Sequence, residues 1–326
     1  MPVSVPLAMD LMELSGLGKT IDGTSFAYTR LDCVGKGVSS LDAIATLPHL
    51  QHVDLSRNAI FDATPLGQLP SALVLNLAGN AVSSLGWMPD VLQHLVYLDL
   101  SDNQLTSLPP LRMPALRVAL FARNQIENCM EFAGHAQLEG MDLSENRLAS
   151  PDGLADMPCL KSLELGKNAI ASVAGLLGLE SLRELRLASN RLETLAGPWT
   201  GTPALETLVI SENQLGAPPP PAEEGAEPGP APPPSDVFIG IEALAGLQTL
   251  LLDGNPVSEA ADVRLELLIF HKGLKNINGE EVTEEEQTGA AELNAKRIEE
   301  ARLKAEEEAE ARRAAEEAAA AEAAPE

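Results

Sequence analysis

The chain has 326 residues, 45% of them hydrophobic but only 3% aromatic, so it can bury a core, one built on Leu, Ile, Val and Ala. Its 22 Lys and Arg stand against 48 Asp and Glu, a formal net charge of −26, which argues against wholesale binding to nucleic-acid phosphates or anionic lipid. Cys33, Cys129 and Cys159 form no motif and cannot all pair, which fits a reduced, intracellular compartment.

Residues 1–27 read as an N-terminal capping segment. Leu7, Met9, Leu11, Met12 and Leu14 are expected to form a short helix there, before Gly16, Gly18 and Gly23 break the chain. The segment lacks the basic start of a signal peptide. No apolar run approaches the ~20 residues needed to cross a bilayer, so the expectation is a cytoplasmic chain without membrane contact. Gly16-Leu17-Gly18-Lys19-Thr20 echoes a phosphate loop, but Glu13 stands where the first glycine of such a loop belongs.

Residues 28–257 are periodic. Asparagines recur at Asn58, Asn80, Asn103, Asn124, Asn146, Asn168, Asn190, Asn213 and Asn255, separated by 22, 23, 21, 22, 22, 22, 23 and 42 residues. The same apolar frame surrounds each. Around Asn146 it consists of Leu138, Met141, Leu143 and Leu148, respectively eight, five and three residues before and two after. A degenerate copy opens the array with Tyr28, Leu31, Cys33 and Val38, and with Lys36 in place of the asparagine. This L-x-x-L-x-L-x-x-N-x-L spacing resembles the leucine-rich repeat. In L-x-L both leucines share one side of a short strand, because side chains alternate. No coil can bury that side alone, so neighbours must do it. The expected fold is an α/β solenoid: a leucine-rich-repeat arc of about ten 22-residue coils with a parallel concave sheet, a C-terminal cap and a trailing charged α-helix. Cys33 and Cys129 occupy apolar columns and read as packed thiols.

Residues 216–236 interrupt the array with nine prolines; they read as a disordered, polyproline-rich insertion. Residues 258–286 read as the C-terminal cap. Val263, Leu267, Leu268 and Phe270 suit an amphipathic helix over the last coil, and Leu274, Ile277 and Val282 continue the cover. Residues 287–326 form a charged Glu/Ala/Arg-rich tail. Strong helix formers dominate it, and Leu293, Ile298 and Leu303 are its few apolar anchors, which suggests a solvated helix that docks on something else.

The outward strand positions define a surface for a partner. Six residues before each asparagine the column includes His52, Val74, Tyr97 and Val118. Four before, it includes Asp54, Asp99, Leu120, Asp142, Glu164 and Arg186. Val74, Tyr97, Val118 and Leu120 read as an exposed apolar patch, with Tyr97 as anchor. The carboxylates of Asp54, Asp99, Asp142 and Glu164 form a rim that would select a basic or amphipathic segment. The column two before each asparagine is nearly all small, from Ser56 to Ser211, which fits either crowding or room for a ligand. The five histidines make no metal spacing with cysteine, and Asp32 near Asp54 is one step of a periodic surface rather than an acid–base pair. No cofactor and no enzymatic activity are expected.

The repeat length and asparagine spacing resemble the SDS22-like class of leucine-rich repeats. The ending NPV…VR…LLIF…LKNINGEEVTEEE is similar to the cap of that class, with Val263-Arg264 and Ile277-Asn278-Gly279 as local departures. A narrower resemblance lies in SFAYTRLDCVGKGVSSLDAIATLPHLQHVDLSRNAIFDATPL. Its Ala27-Tyr28 entry, Leu31, the Leu50-x-x-Val53-Asp54 strand and Pro65-Leu66 are similar to the opening of a leucine-rich-repeat family of radial-spoke proteins in motile cilia. The proline-rich insertion departs from that family. The resemblance implies a non-catalytic subunit of a large hetero-oligomeric complex, the axonemal radial spoke of a cilium or flagellum, held by other spoke proteins and touching no nucleic acid directly. The wider class implies the alternative, a regulatory or adaptor subunit of a phosphatase or ribonucleoprotein complex. An acidic histone-binding relative would carry a nearly continuous Asp/Glu tail, whereas this tail mixes Glu with Ala and Arg.

Overall fold

The nine repeat asparagines stand along one seam, and each ties its coil to the one before. The Asn146 amide nitrogen donates to the Leu143 carbonyl in its own coil (3.0 Å) and to Phe121 in the preceding coil (2.9 Å), while its oxygen accepts from the Ile126 amide at 3.0 Å. The same three bonds return at Asn80, Asn103, Asn190 and Asn255. Asn58 faces the degenerate first coil and accepts from two amides, Lys36 and Val38. An amide side chain fits this position because it donates and accepts at once. The computed structural model describes residues 6–8, 11–20, 24–86, 92–218, 229, 231–260 and 262–322; the side chain of residue 301 and those beyond 306 are outside that description.

Among the described residues the strands form one 13-stranded sheet whose order follows the sequence. They are β1 (Glu13–Lys19), β2 (Phe26–Asp32), β3 (His52–Asp54), β4 (Val74–Asn76), β5 (Tyr97–Asp99), β6 (Val118–Leu120), β7 (Gly140–Asp142), β8 (Ser162–Glu164), β9 (Glu184–Arg186), β10 (Thr207–Val209), β11 (Thr249–Leu251), β12 (Asn276–Ile277) and β13 (Glu280–Glu281). Pairing is parallel from β2 through β12 and antiparallel at both ends. Most repeat strands alternate half-buried, buried, half-buried, because their middle residue points into the coil with the apolar residue two positions on. The resulting core is continuous. Leu50, Leu55, Ile60, Leu143, Leu148, Leu252 and their equivalents are fully enclosed, each contributing roughly 1.5–3 kcal/mol relative to exposure.

The turn after each strand repeats as well. The residue before every repeat asparagine has positive φ: 58° at Arg57, 55° at Asp102, 54° at Arg123, 55° at Glu145 and Lys167, 56° at Ser189 and Glu212, and 70° and 72° at Gly79 and Gly254. This left-handed residue swings the chain out of the sheet and aims the asparagine inward. It costs most residues about 1–2 kcal/mol, so the asparagine bonds must offset that strain. Neighbouring residues of the column pair along the edge, Arg123 with Asp102 at 2.6 Å and Lys167 with Glu145 at 3.2 Å.

The N-terminal segment departs from expectation. Leu14, assigned to a helix, lies in β1, whose hairpin with β2 covers the first coil; Met9 lies outside the described residues. Leu7 and Met12 are buried against that coil, and the Leu7 amide donates to Ser40. Gly16 takes a φ of 70° within β1, where a Cβ would lie 2.6 Å from the Thr29 hydroxyl, so glycine suits this strand, and the open hydrogen-bonding edge of β2 takes a strand as partner. Of the phosphate-loop echo Gly16–Thr20, the first four residues belong to that strand.

At the other end, α2 (Val263–Phe270) lies over the last coil with Leu267 and Leu268 buried, and Leu274 and Ile277 close the layer. Between the coils of Asn213 and Asn255, the proline-rich span lies largely outside the described residues. Its end enters the short helix α1 (Pro234–Val237), where Val237 and Phe238 are buried.

The tail helix α3 (Glu284–Glu322) docks first on this chain's own cap. Ala290 is buried against α2. Arg297 forms two bonds to Glu266, a carboxylate left 7% exposed. Arg264 on α2 answers with Glu286 on α3 at 2.6 Å. Ile298 and Leu303, expected as anchors, are exposed.

Candidate functional site on the concave sheet face

Strand register sorts the outward side chains into two rows. One runs Arg30, His52, Val74, Tyr97, Val118, Gly140, Ser162, Glu184, Thr207, Thr249; the other runs Asp32, Asp54, Asn76, Asp99, Leu120, Asp142, Glu164, Arg186, Val209, Leu251. The structure brings the ten candidate residues together on seven consecutive strands. His52 and Arg186 are exposed and the other eight half-buried. Val74, Tyr97 and Val118 are consecutive partners across β4, β5 and β6, which makes the apolar patch contiguous. A shallow depression of about 120 Å³ lies between Arg30, His52, Asp54, Val74, Asn76 and Tyr97. Burial, then Asp99 and Asp54, push the Tyr97 hydroxyl up from its ordinary pKa.

The carboxylate rim has an internal duty that the repeat pattern did not reveal. Asp54 accepts from the Ser56 amide at 3.0 Å and hydroxyl at 2.7 Å, Asp99 from the Ser101 amide at 2.9 Å, and Asp142 from the Ser144 amide at 2.8 Å. Asn76 does the same for Ala78 at 3.0 Å. A short acidic or amide side chain here caps the turn two residues on, so one oxygen of each is committed to the fold. The small column is partly enclosed. Ser56, Ser101, Ala122 and Gly166 are buried. A Cβ on Gly166 would meet the Ala188 carbonyl and the Glu164 carboxylate, both at 3.4 Å. These are ordinary contact distances, so at Gly166 a methyl group would fit against its neighbours without collision.

Glu164 and Arg186 form the charged end of the site. Arg186 lies 3.5 Å from Glu164 and 2.5 Å from Glu184. Burial raises the Glu164 pKa to about 7; Arg186 opposes this, while Asp142 and Glu184 add to it.

Leu17 and Phe26 were not among the candidates. Leu17 opposes Tyr28 and Lys19 opposes Phe26, so Leu17, Phe26 and Tyr28 share the face that carries Arg30 and His52. They are 69%, 67% and 43% exposed. The repeat frame aligns Tyr28 with the buried Leu50 and Ala72, but β2 runs straight for seven residues against β1 and keeps it outside. The alternation in Phe26-Ala-Tyr-Thr-Arg30 was the available signal.

The two packed cysteines are poor nucleophiles. Burial pushes the Cys129 thiol up to about 12 and raises Cys33 as well, which suppresses the nucleophilic thiolate. Among the described residues no group of three His, Cys, Asp or Glu could hold a metal ion, and no helix is long and apolar enough to cross a membrane.

Comparisons with known proteins agree with the geometry. A leucine-rich-repeat family model matches residues 46–63 and 91–108. Leucine-rich repeat-containing protein 23 of Bos taurus is 30% identical over 154 residues, 47% of this chain and 38% of that protein. Its Homo sapiens counterpart is 30% identical over 151 residues, 46% of this chain and 37% of that protein. The matches thus span well under half the length of these relatives. A solved leucine-rich-repeat protein of Leptospira interrogans shares the fold with a TM-score of 0.57 at 24% identity, over 73% of this chain and 57% of that one. Repeat, register and likeness together make this chain a leucine-rich-repeat solenoid, a fold that serves as a protein-binding module, and over about half its length it resembles leucine-rich repeat-containing protein 23.

Proposed function

We propose that the chain is a non-catalytic structural subunit of the axonemal radial spoke in motile cilia or flagella. It holds neighbouring proteins through the concave face and through α3. The observation that carries the binding role is Tyr97, half-buried between Val74 and Val118 on a solvent-facing sheet; a rigid aromatic among apolar neighbours is a typical interface anchor. The likeness to leucine-rich repeat-containing protein 23 supports the ciliary setting. The first turns of α3 are occupied by the chain's own cap, so contact with neighbours falls to the later part of the helix, beginning at the exposed Ile298 and Leu303.

The test is purification of the tagged full chain from ciliated and non-ciliated cells, with salt extraction of isolated axonemes. Recovery in axonemes with other spoke subunits is expected. Absence from axonemes, with phosphatase or splicing subunits recovered instead, would overturn the reading. Ile298→Ser combined with Leu303→Ser, at exposed positions of α3, should weaken axonemal retention while leaving the melting temperature near that of the full chain.

A further inference from the structure

The sheet face changes chemistry part-way along. On β4 to β6 it presents Val74, Tyr97, Val118 and Leu120. On β7 and β8 the first row drops to Gly140 and Ser162, which leave a low floor, while the second row raises Asp142 and Glu164 beside it. Arg186 lies 3.5 Å from Glu164 and 2.5 Å from Glu184, and Arg123, already bonded to Asp102, also acts on Asp142. Asp102, Asp142, Glu164 and Glu184 therefore outnumber these two cations on a chain that already carries a net −26. The strip is also narrow. Its two rows are two residues apart on three-residue strands, roughly 7 Å, against about 10–12 Å for a helix with its side chains.

Resting on the concave-face reading above, we propose that the occupant is an extended, bipartite polypeptide segment that crosses the strands. An apolar or aromatic side chain sits over Tyr97 and Val118. A Lys or Arg side chain stands over Gly140 and Ser162, against the carboxylates of Asp142 and Glu164. The spacing follows from the sheet. β5 and β8 are three strand intervals apart, roughly 14 Å at ~4.8 Å each, which an extended chain covers in about four residues at ~3.3 Å per residue. An acidic segment would meet like charges, and a wholly apolar one would leave half-buried carboxylates facing it without compensation.

The experiment uses the full chain as bait for a random twelve-residue peptide display library. Enriched peptides should carry Lys or Arg three to five positions from an aromatic or branched apolar residue. One such peptide is then synthesised with its Lys or Arg intact and replaced by Gln, and Kd is measured against wild type, Tyr97→Ser and Asp142→Asn/Glu164→Gln. Tyr97→Ser should weaken binding at least tenfold. The Gln peptide should lose about tenfold against wild type and less than twofold against Asp142→Asn/Glu164→Gln, because the charge it lacks has no partner there. Circular dichroism serves as the check that both variants fold; Asp142→Asn retains the oxygen that caps Ser144. Enriched peptides without a basic residue, a nine-residue helical spacing, or an equal loss on both proteins would overturn the bipartite ligand while leaving concave-face binding intact. Binding indifferent to both variants, or no enrichment, would overturn the concave-face reading itself.

Discussion

The amide of Leu252, in the last repeat coil, donates at 2.8 Å to the side-chain oxygen of Asn278 in the cap. In other coils the equivalent amide finds a strand carbonyl: Leu77 donates to Asp99, and Leu143 to Glu164. Asn278 pairs its own amide with Leu250 and then turns away with φ of 54°, so its carbonyl is diverted and its side chain takes over. Asparagine suits both demands, since it tolerates the left-handed region and carries an amide oxygen. The sheet thus ends by substitution of one acceptor for another.

Asn278→Ala removes that acceptor and puts a Cβ-only residue at positive φ. A loss of about 1–3 kcal/mol is expected, concentrated in the cap. Hydrogen exchange should show the Leu252 amide losing protection before the middle coils do. Asn146→Ala should cost about as much, because the Ile126 amide and the Phe121 carbonyl lose their shared partner; urea denaturation would register it as a lower midpoint.

Two glycines separate strain from collision. A Cβ on Gly153, at φ 91°, would lie 2.0 Å from the Cys129 carbonyl oxygen, whereas one on Gly37, at φ 73°, meets nothing within 4 Å. Gly37→Ala should therefore cost only the left-handed penalty of about 1–2 kcal/mol. Gly153→Ala should cost more than about 3 kcal/mol, because two backbones must separate. Equal melting temperatures for the two variants would refute this contact between coils.

Glu164 carries a pH signature. Its pKa is raised in the folded chain to about 7 by burial, above the ~4.3 of an unperturbed glutamate. Between these values the folded state binds more protons than the unfolded one, so stability falls as pH rises from about 4.3 to 7. Glu164→Gln should raise the melting temperature at pH 8 and leave it nearly unchanged at pH 4. A difference independent of pH would show that packing, not ionisation, governs the site.

The helix clamp has the opposite signature at its other pair. Glu286 is held down at about 2, first by Arg264 and then by the Thr283 amide. Its contribution is present above about 4.3 and is lost as pH falls toward 2. Arg297→Ala should be harsher still, because it strands Glu266 almost enclosed and unpaired. The expected result is release of α3 from α2, seen as fast hydrogen exchange around Ala290, with partial recovery when Glu266→Gln is added.

The core was legible because one physical demand recurs every turn. Leu143, Leu148 and their equivalents must be apolar wherever the coil winds, so periodicity reveals them. The patch around Tyr97 was legible for a related reason: strand alternation fixes which residues face out. The N-terminal hairpin was not, since Leu7 to Leu14 carry apolar spacing that suits a helix as well as a strand, and the edge of β2 decided the matter. Nor was the duty of Asp54, Asp99 and Asp142, where one side chain type serves a turn and faces solvent at once. The pairing of Arg297 with Glu266 spans 31 residues, and no local pattern encodes a contact of that kind.

The left-handed residue before each asparagine recurs with nearly the same angle across nine coils. Every joint between coils therefore offers the same socket, and a duplicated 22-residue unit inserted at any of them would meet ready-made donors and acceptors above and below. Length is then the cheapest property of this molecule to change. Its two ends, each closed by residues that occur once, are the hardest.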